Sequence, residues 1–212
     1  MRQRFEQELK YLNDELTLMG ALCETAIARS AKALLTNDKK LALSMSEITE
    51  NIDQKEREVE SRCLKLLMTQ QPVASDLRLI SAALKMVTDM KRIGVISGQI
   101  AELVPEFNTI PDPGYQLKEM ALVTIRMVTD SIEAYVHQDH NLALKVIARD
   151  DEVDQRFQEI KKILVSRFKD QDADLILNVL MVAKWFEKIG DHAVNIAGWV
   201  IFSLNGKLPN PK

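Results

Sequence analysis

The stretch from Lys39 to Thr69 reads KKLALSMSEITENIDQKEREVESRCLKLLMT. Its apolar residues Leu41, Met45, Ile48, Ile52, Val59, Cys63 and Leu66 recur at spacings of three, four or seven, which stacks them along one face of a helix. The residues between them are mostly charged or polar, so the segment reads as an amphipathic helix burying a single stripe against its neighbours. The same pattern returns through Leu142, Val146, Val153, Phe157, Ile160, Leu164 and Phe168. Strand-like alternation is absent along the chain, and an all-α fold follows.

Working outward, the helix breakers are few and confined to three places. Pro72 follows Gln70-Gln71, Pro105, Pro111 and Pro113 share one segment, and Pro209 and Pro211 lie near the end. Since proline breaks a helix interior, the intervals between these places read as long uninterrupted helices. Six are expected: about 2–35, 39–69, 75–104, 115–137, from just after Asp139 to about 168, and 172–205. Asp38 is placed to cap the second, and Gly206 to stop the sixth.

With 212 residues, 46% of them hydrophobic, and only 7 Gly and 6 Pro, the chain is long enough for one large domain or two small ones and is no disordered tail. Lys and Arg number 28 against 31 Asp and Glu, for a net charge of −3. That balance excludes a strongly basic nucleic-acid binder, which needs an excess of cations to displace phosphate counterions. Cys23 and Cys63 sit inside apolar helical patterns, with no CxxC framework, and read as buried inert thiols. The opening residues contain no signal-peptide core, and no stretch approaches the roughly 18 apolar residues of a membrane span. A soluble, cytoplasmic protein is expected.

The two halves repeat. At a shift of 101, Asp38, Leu41-Ala42-Leu43 and Ile52-Asp53 fall on Asp139, Leu142-Ala143-Leu144 and Val153-Asp154. At a shift of 96, Asp76, Leu79-Ile80, Leu84, Arg92-Ile93-Gly94 and Ile100-Ala101 fall on Asp172, Leu175-Ile176, Leu180, Lys188-Ile189-Gly190 and Ile196-Ala197. The changed shift fits a longer hairpin near Gln70-Gln71-Pro72-Val73 in the first half. Two homologous three-helix units result, 1–106 and 107–212.

The repeat isolates a group of acids. Asp150 and Asp154 stand four apart on the fifth helix, Glu187 and Asp191 four apart on the sixth, so each pair shares a helix face. If these antiparallel helices are neighbours, four carboxylates converge, and their repulsion requires protons or cations. Oxygen ligands favour hard cations such as Mg²⁺, Ca²⁺ or Mn²⁺, and carboxylate clusters also hold iron when oxygen atoms bridge the metals. The first-half counterparts are Thr49, Asp53, Lys91 and Val95. One acid in four remains, and Lys91 is placed to put an ammonium where the second half would put a cation. The competing reading is a solvated acidic face on which Lys184 and Lys188 screen Glu187 and Asp191. With 31 acids in 212 positions, chance alone yields about four or five such i,i+4 pairs, so neither pair is a signature in isolation.

Other constellations are weaker. The Glu-x-x-His pairs of ferritin-type di-iron bundles are missing. His137 and His140 flank a turn, and His192 points roughly 100° away from Asp191 on the helix. No phosphate-binding Gly loop, Ser-His-Asp ordering or dinucleotide fingerprint occurs. The mid-helix glycines Gly94 and Gly190 cost about 1 kcal/mol each against Ala, which implies close helix approach or room for a ligand. Trp185, Ile189, Ala193, Ile196 and Val200 form a stripe that faces the core.

Gln70-Gln71-Pro72-Val73-Ala74-Ser75-Asp76-Leu77-Arg78 resembles the turn and helix start typical of PhoU proteins. Glu187-Lys188-Ile189-Gly190-Asp191-His192 is similar to their Glu-Arg-Ile-Gly-Asp-His segment, and Asp150-Asp151-Glu152-Val153-Asp154 to their acidic motif. The resemblance covers essentially the whole chain. It implies tandem three-helix bundles, a homodimer, and surface metal clusters of divalent or trivalent ions, with iron, manganese, magnesium and zinc all compatible. Carried over by residue, the metal motif is kept at Asp150, Asp154, Glu187 and Asp191 and broken at Thr49, Lys91 and Val95.

The same resemblance implies a non-enzymatic negative regulator of phosphate uptake and phosphate-starvation signalling. Its expected partners are the ATPase subunit of a phosphate ABC transporter and the cytoplasmic domain of a sensor histidine kinase, with membrane contact only through them. The alternatives are a hydrolase or phosphoryl-transfer enzyme built on the carboxylate cluster, and a helical scaffold without metal.

Overall fold

A computed structural model describes residues 2–69, 73–108 and 116–209. Its helices are α1 (Arg2–Thr36), α2 (Lys39–Leu43), α3 (Met45–Thr69), α4 (Ala74–Glu102), α5 (Leu117–Val136), α6 (His140–Arg167) and α7 (Ala173–Asn205), with a 3₁₀ turn at Val104–Glu106. Among the described residues there is no strand. The six long helices stand where periodicity places them, except that a one-turn α2 heads the second. The break falls at Ser44, whose hydroxyl donates to Leu41 O at 2.7 Å and whose N–H turns back on Ala42 and Lys40. Ser46 likewise donates to Leu43 O. Hydroxyls that bond local carbonyls compete with the helical ladder, and two in three residues open it here. The hairpin at 70–72, Pro111, Pro113 and the expected helix start at Tyr115 lie outside the described residues.

The repeat is written into the backbone. At the end of α1, Asp38 N–H donates to Ala33 O at 2.9 Å and Asn37 N–H to Leu34 O at 3.3 Å, with Asn37 at φ 50°. Exactly matching positions would lie 101 residues on, and there Asp139 N–H donates to Ala134 O at 2.8 Å and Gln138 N–H to Tyr135 O at 3.2 Å, with Gln138 at φ 54°. Both are Schellman closures with a left-handed residue after the helix. The aspartate that follows then caps the next helix, Asp38 accepting from the N–H groups of Lys40 and Leu41 and Asp139 from that of Leu142. At the other equivalence the roles differ: Asp172 is an N-cap that accepts from Asp174 N–H, whereas Asp76 lies inside α4 and reaches back to Val73 N–H. Gly206, at φ 75°, ends α7.

α1, α3 and α4 pack on one another, as do α5, α6 and α7, and the two bundles meet through α4 against α7 and α1 against α5. The buried residues form one continuous core. The α3 seam from Met45 to Leu66 is buried and Leu41 packs partly buried against it. On α6 the seam holds through Leu164, but Phe168, at the C-cap, is exposed. Tyr135, fully buried on α5, donates its hydroxyl to Leu79 O on α4 at 3.2 Å, and burial pushes its phenol pKa up. Cys23 and Cys63 are buried and free. Cys23 donates to Met90 O at 3.3 Å, and burial raises both thiols, Cys63 to about 12.

The equivalent glycines answer different constraints. A methyl on Gly94 would stand 2.8 Å from Ile52 Cδ1 and 3.1 Å from its Cγ2, and a β-branched side chain has little freedom to swing away. A methyl on Gly190 meets nothing closer than 3.4 Å. Gly94→Ala is therefore expected to lower stability, since overpacking costs about 1–3 kcal/mol against roughly 1 kcal/mol of helix propensity gained. Gly190→Ala is expected to raise it by up to about 1 kcal/mol. Urea unfolding of the two variants checks this, and shifts of the same sign would contradict it. Neither cysteine is expected to react with a thiol reagent until the protein unfolds, when both should titrate.

Candidate functional site

α6 and α7 run antiparallel, in a register set by two contacts. Gly190 lies where a Cβ would be 3.4 Å from Asp150 Oδ1 and 3.6 Å from Val153 Cγ1. Farther along α6, the Phe157 ring centroid lies 5.3 Å from Lys184 Nζ. Steps up α6 are thus matched by steps down α7, which brings Asp154 level with Glu187. The pairing of these two helices is what the four-acid arrangement required. Asp150, Glu187 and Asp191 are partly buried and Asp154 is exposed; the Glu187 side chain is only 14% exposed.

Lysines answer that charge. Lys184 Nζ stands 2.5 Å from Glu187 Oε2, and Lys188 Nζ lies 2.5 Å from Asp191 Oδ2 and 3.9 Å from Glu187 Oε2. The hydrogen bond to Asp191, then the negative charges of Asp191, Glu187 and Asp150, hold the Lys188 pKa above its ordinary value. Among the described residues no three His, Cys, Asp or Glu side chains are gathered closely enough to hold a metal ion. The donor set is nevertheless all carboxylate, two from each helix, which suits a hard cation by chemistry. A cation shared by Glu187 and Asp191 would take the position of the Lys188 ammonium.

The first bundle inverts the arrangement. Lys91, counterpart of Glu187, puts its ammonium 3.3 Å from Asp53 Oδ1 and 2.6 Å from Glu56 Oε2, as the repeat suggested for Asp53. Thr49 spends its hydroxyl on Ser46 O, and Val95 is 40% exposed. Glu56, 8% exposed, has no acidic equivalent in the second half, where its counterpart is Phe157. A signal for it does exist: it occupies the seven-residue gap between Ile52 and Val59, where the seam calls for an apolar side chain.

His192 turns away from the acids. Its Nδ1 lies 2.8 Å from Asp89 Oδ1 on α4, and Asn195 Nδ2 donates to the same oxygen at 3.3 Å. This polar contact joins the two bundles. Comparison of the halves does not flag Asp89, whose counterpart is Trp185. His137 caps α5 and His140 opens α6, the turn positions expected of them.

The sequence matches the PhoU domain twice, over residues 16–104 and 117–200. It is 32% identical over 209 residues to a Pseudomonas aeruginosa protein named as a phosphate-specific transport system accessory protein PhoU homolog, covering 96% of this chain and 86% of that one. A Clostridium acetobutylicum protein of the same name is 31% identical, with 97% and 96% covered. The crystal structure of PhoU from Pseudomonas aeruginosa superposes with a TM-score of 0.88 at 33% identity, covering 96% of this chain and all of that one. That of the phosphate transport system regulatory protein PhoU from Streptococcus pneumoniae gives 0.90 at 24% identity and 98% coverage of this chain, and shares the fold.

Lys91 and Lys188 are both held above the ordinary lysine value of 10.5, Lys91 chiefly by its hydrogen bond to Glu56. A raised lysine pKa gives stability that is complete below the unfolded value and fades as pH climbs through the folded one. Titration of ¹³Cε-labelled lysines by NMR is expected to place the midpoints of these two above the ordinary lysine value. Midpoints inside the bulk lysine distribution would contradict the pairings.

Proposed function

The chain belongs to the PhoU family, and on that premise we propose that it serves as an accessory protein of a phosphate-specific transport system, restraining phosphate uptake and the phosphate-starvation response. The observation that carries this reading is similarity along nearly the full length of both chains to proteins that bear the accessory name. In the finer reading it works as a non-enzymatic adaptor, a cytoplasmic homodimer whose helix faces meet the transporter ATPase subunit and the cytoplasmic domain of a sensor histidine kinase. No helix among the described residues is long and apolar enough to cross a membrane; in this reading, contact with the membrane runs through those partners. The two repeats, 1–106 and 107–212, divide the work: the second carries the metal motif, and the first has lost it.

Asp150, Asp154, Glu187 and Asp191 would hold the metal, with Asp53 as the remnant in the first repeat. A multivalent ion there would supply the positive charge that four carboxylates on α6 and α7 require and would tie the two helices together. Lys188 competes for the same acids, and its four-carbon stem lets the ammonium withdraw to solvent. The ligand chemistry suits iron, manganese, magnesium or zinc.

Two measurements test the proposal. Deletion of the gene is expected to leave phosphate-starvation output switched on in high phosphate, with the full chain restoring repression; unchanged output on deletion would refute the regulatory role. After metal repletion, elemental analysis is expected to find metal on the wild type and none on the variant carrying alanine at Asp150, Asp154, Glu187 and Asp191. Lys188→Ala should retain metal at lower free concentrations than the wild type. Equal loading of the wild type and the quadruple variant would remove the metal site.

A further inference from the structure

The break at Ser44 has a structural result beside the degenerate acids of the first bundle. There α2 and the start of α3, with the last turns of α4, line a groove of about 730 Å³, within the roughly 300–1,000 Å³ typical of ligand sites. One wall carries Leu43, Thr49 and Glu50, the other Val95, Gly98 and Glu102; Pro105 closes one end and Lys91 with Asp53 the other. Leu43 is 75% exposed, an apolar side chain held over the groove without cover among the described residues.

Three features say what kind of occupant fits. First, the floor is a close approach of small residues: a methyl on Gly98 would stand 3.2 Å from Thr49 Cγ2. In the second bundle the positions of Gly98, Thr49 and Val95 carry Val194, Asp150 and Asp191, a bulkier side chain and two charges. Second, the walls are of opposite character to a phosphate or nucleotide site. Lys91 is already met by Glu56 and Asp53, and Lys39 is turned onto Pro105 O at 3.5 Å. Glu50 and Glu102 are exposed, one on each wall, with no ion-pair partner among the described residues. Third, the groove is open and elongated. The lining runs from Met45 to Asp53 on α3 and from Lys91 to Glu102 on α4, which at ~1.5 Å per residue is about 12–16 Å, or two to three helical turns.

We propose that this groove docks a short helical segment of a partner protein, seating an apolar side chain against Leu43 and Val95 and presenting Arg or Lys to Glu50 and Glu102. The mode is a helix laid into a groove between two helices, with apolar anchors one and two turns apart. Carboxylates on both walls flank the anchors and favour a cationic segment over an acidic one. This surface does not depend on the metal motif or on the transport reading, and it can stand or fall without either.

The probe is a fluorescein-labelled helical peptide of about twelve residues, ~18 Å long, with leucines at i, i+3 and i+7 and arginines on both flanks, titrated by anisotropy against the full chain. Saturable binding is expected, weakened about tenfold by Glu50→Gln with Glu102→Gln, and by Leu43→Ser with Val95→Thr. All four side chains are solvent-exposed, and circular dichroism verifies that the variants remain folded. Glu119→Gln, on exposed α5 surface, should bind as the wild type does. The same peptide with its arginines exchanged for glutamate, or its leucines for serine, should not bind. Methyl-labelled NMR should place the shifts at Leu43 and Val95. No binding, binding indifferent to the groove substitutions, or binding that survives loss of the leucines would each overturn the proposal.

Discussion

A carboxylate drawn between two packed helices must be met by positive charge, because removing it from water costs more than packing returns. Each bundle places such acids between the two helices that follow its long first one, and each meets the demand in its own way. In the first, Lys91 on α4 reaches across to Asp53 and the buried Glu56 on α3. In the second, the acids sit on both α6 and α7, and Lys184 and Lys188 rise from α7 itself. The first solution is a cross-helix tie made by the chain alone. The second satisfies each acid on α7 locally and leaves the union of α6 and α7 to packing around Val153 and Gly190.

That difference explains why two halves with the same backbone need not share a task. Exchanging Glu187 for Lys91 and Asp191 for Val95 replaces two acids with an ammonium and an apolar side chain, so that the charge pairing runs across the helices instead of along one of them. Exchanging Asp150 for Thr49 and Val194 for Gly98 then removes charge and bulk together, and the groove beside Leu43 opens in the space. The halves are held as one body by a continuous core and by contacts that neither bundle makes internally, among them Tyr135 to Leu79 and His192 with Asn195 to Asp89.

Much of this was legible in the residues. Seam spacing identifies the helices, because a helix that packs on neighbours must repeat its apolar residues at its own period. Asp38 and Asp139 announce their caps, and Gly206 its left-handed stop. Ser44 did not announce the break, since serine is tolerated within helices, and it is the two hydroxyls together, Ser44 on Leu41 O and Ser46 on Leu43 O, that open the ladder. Phe168 fits the seam by number and is nonetheless exposed at the C-cap, since spacing gives a side chain's direction and not what stands opposite it.

The helices, the duplication and the four acids that one half keeps and the other loses can be read from residue type and local spacing. Which charges meet follows from how the helices pack. Glu56 with Lys91, and His192 with Asp89, are pairs formed across helices distant in the chain, and their distances depend on how one helix is rotated and offset against another. That geometry is set by the packing of whole surfaces such as Gly94 on Ile52, and no local pattern encodes it.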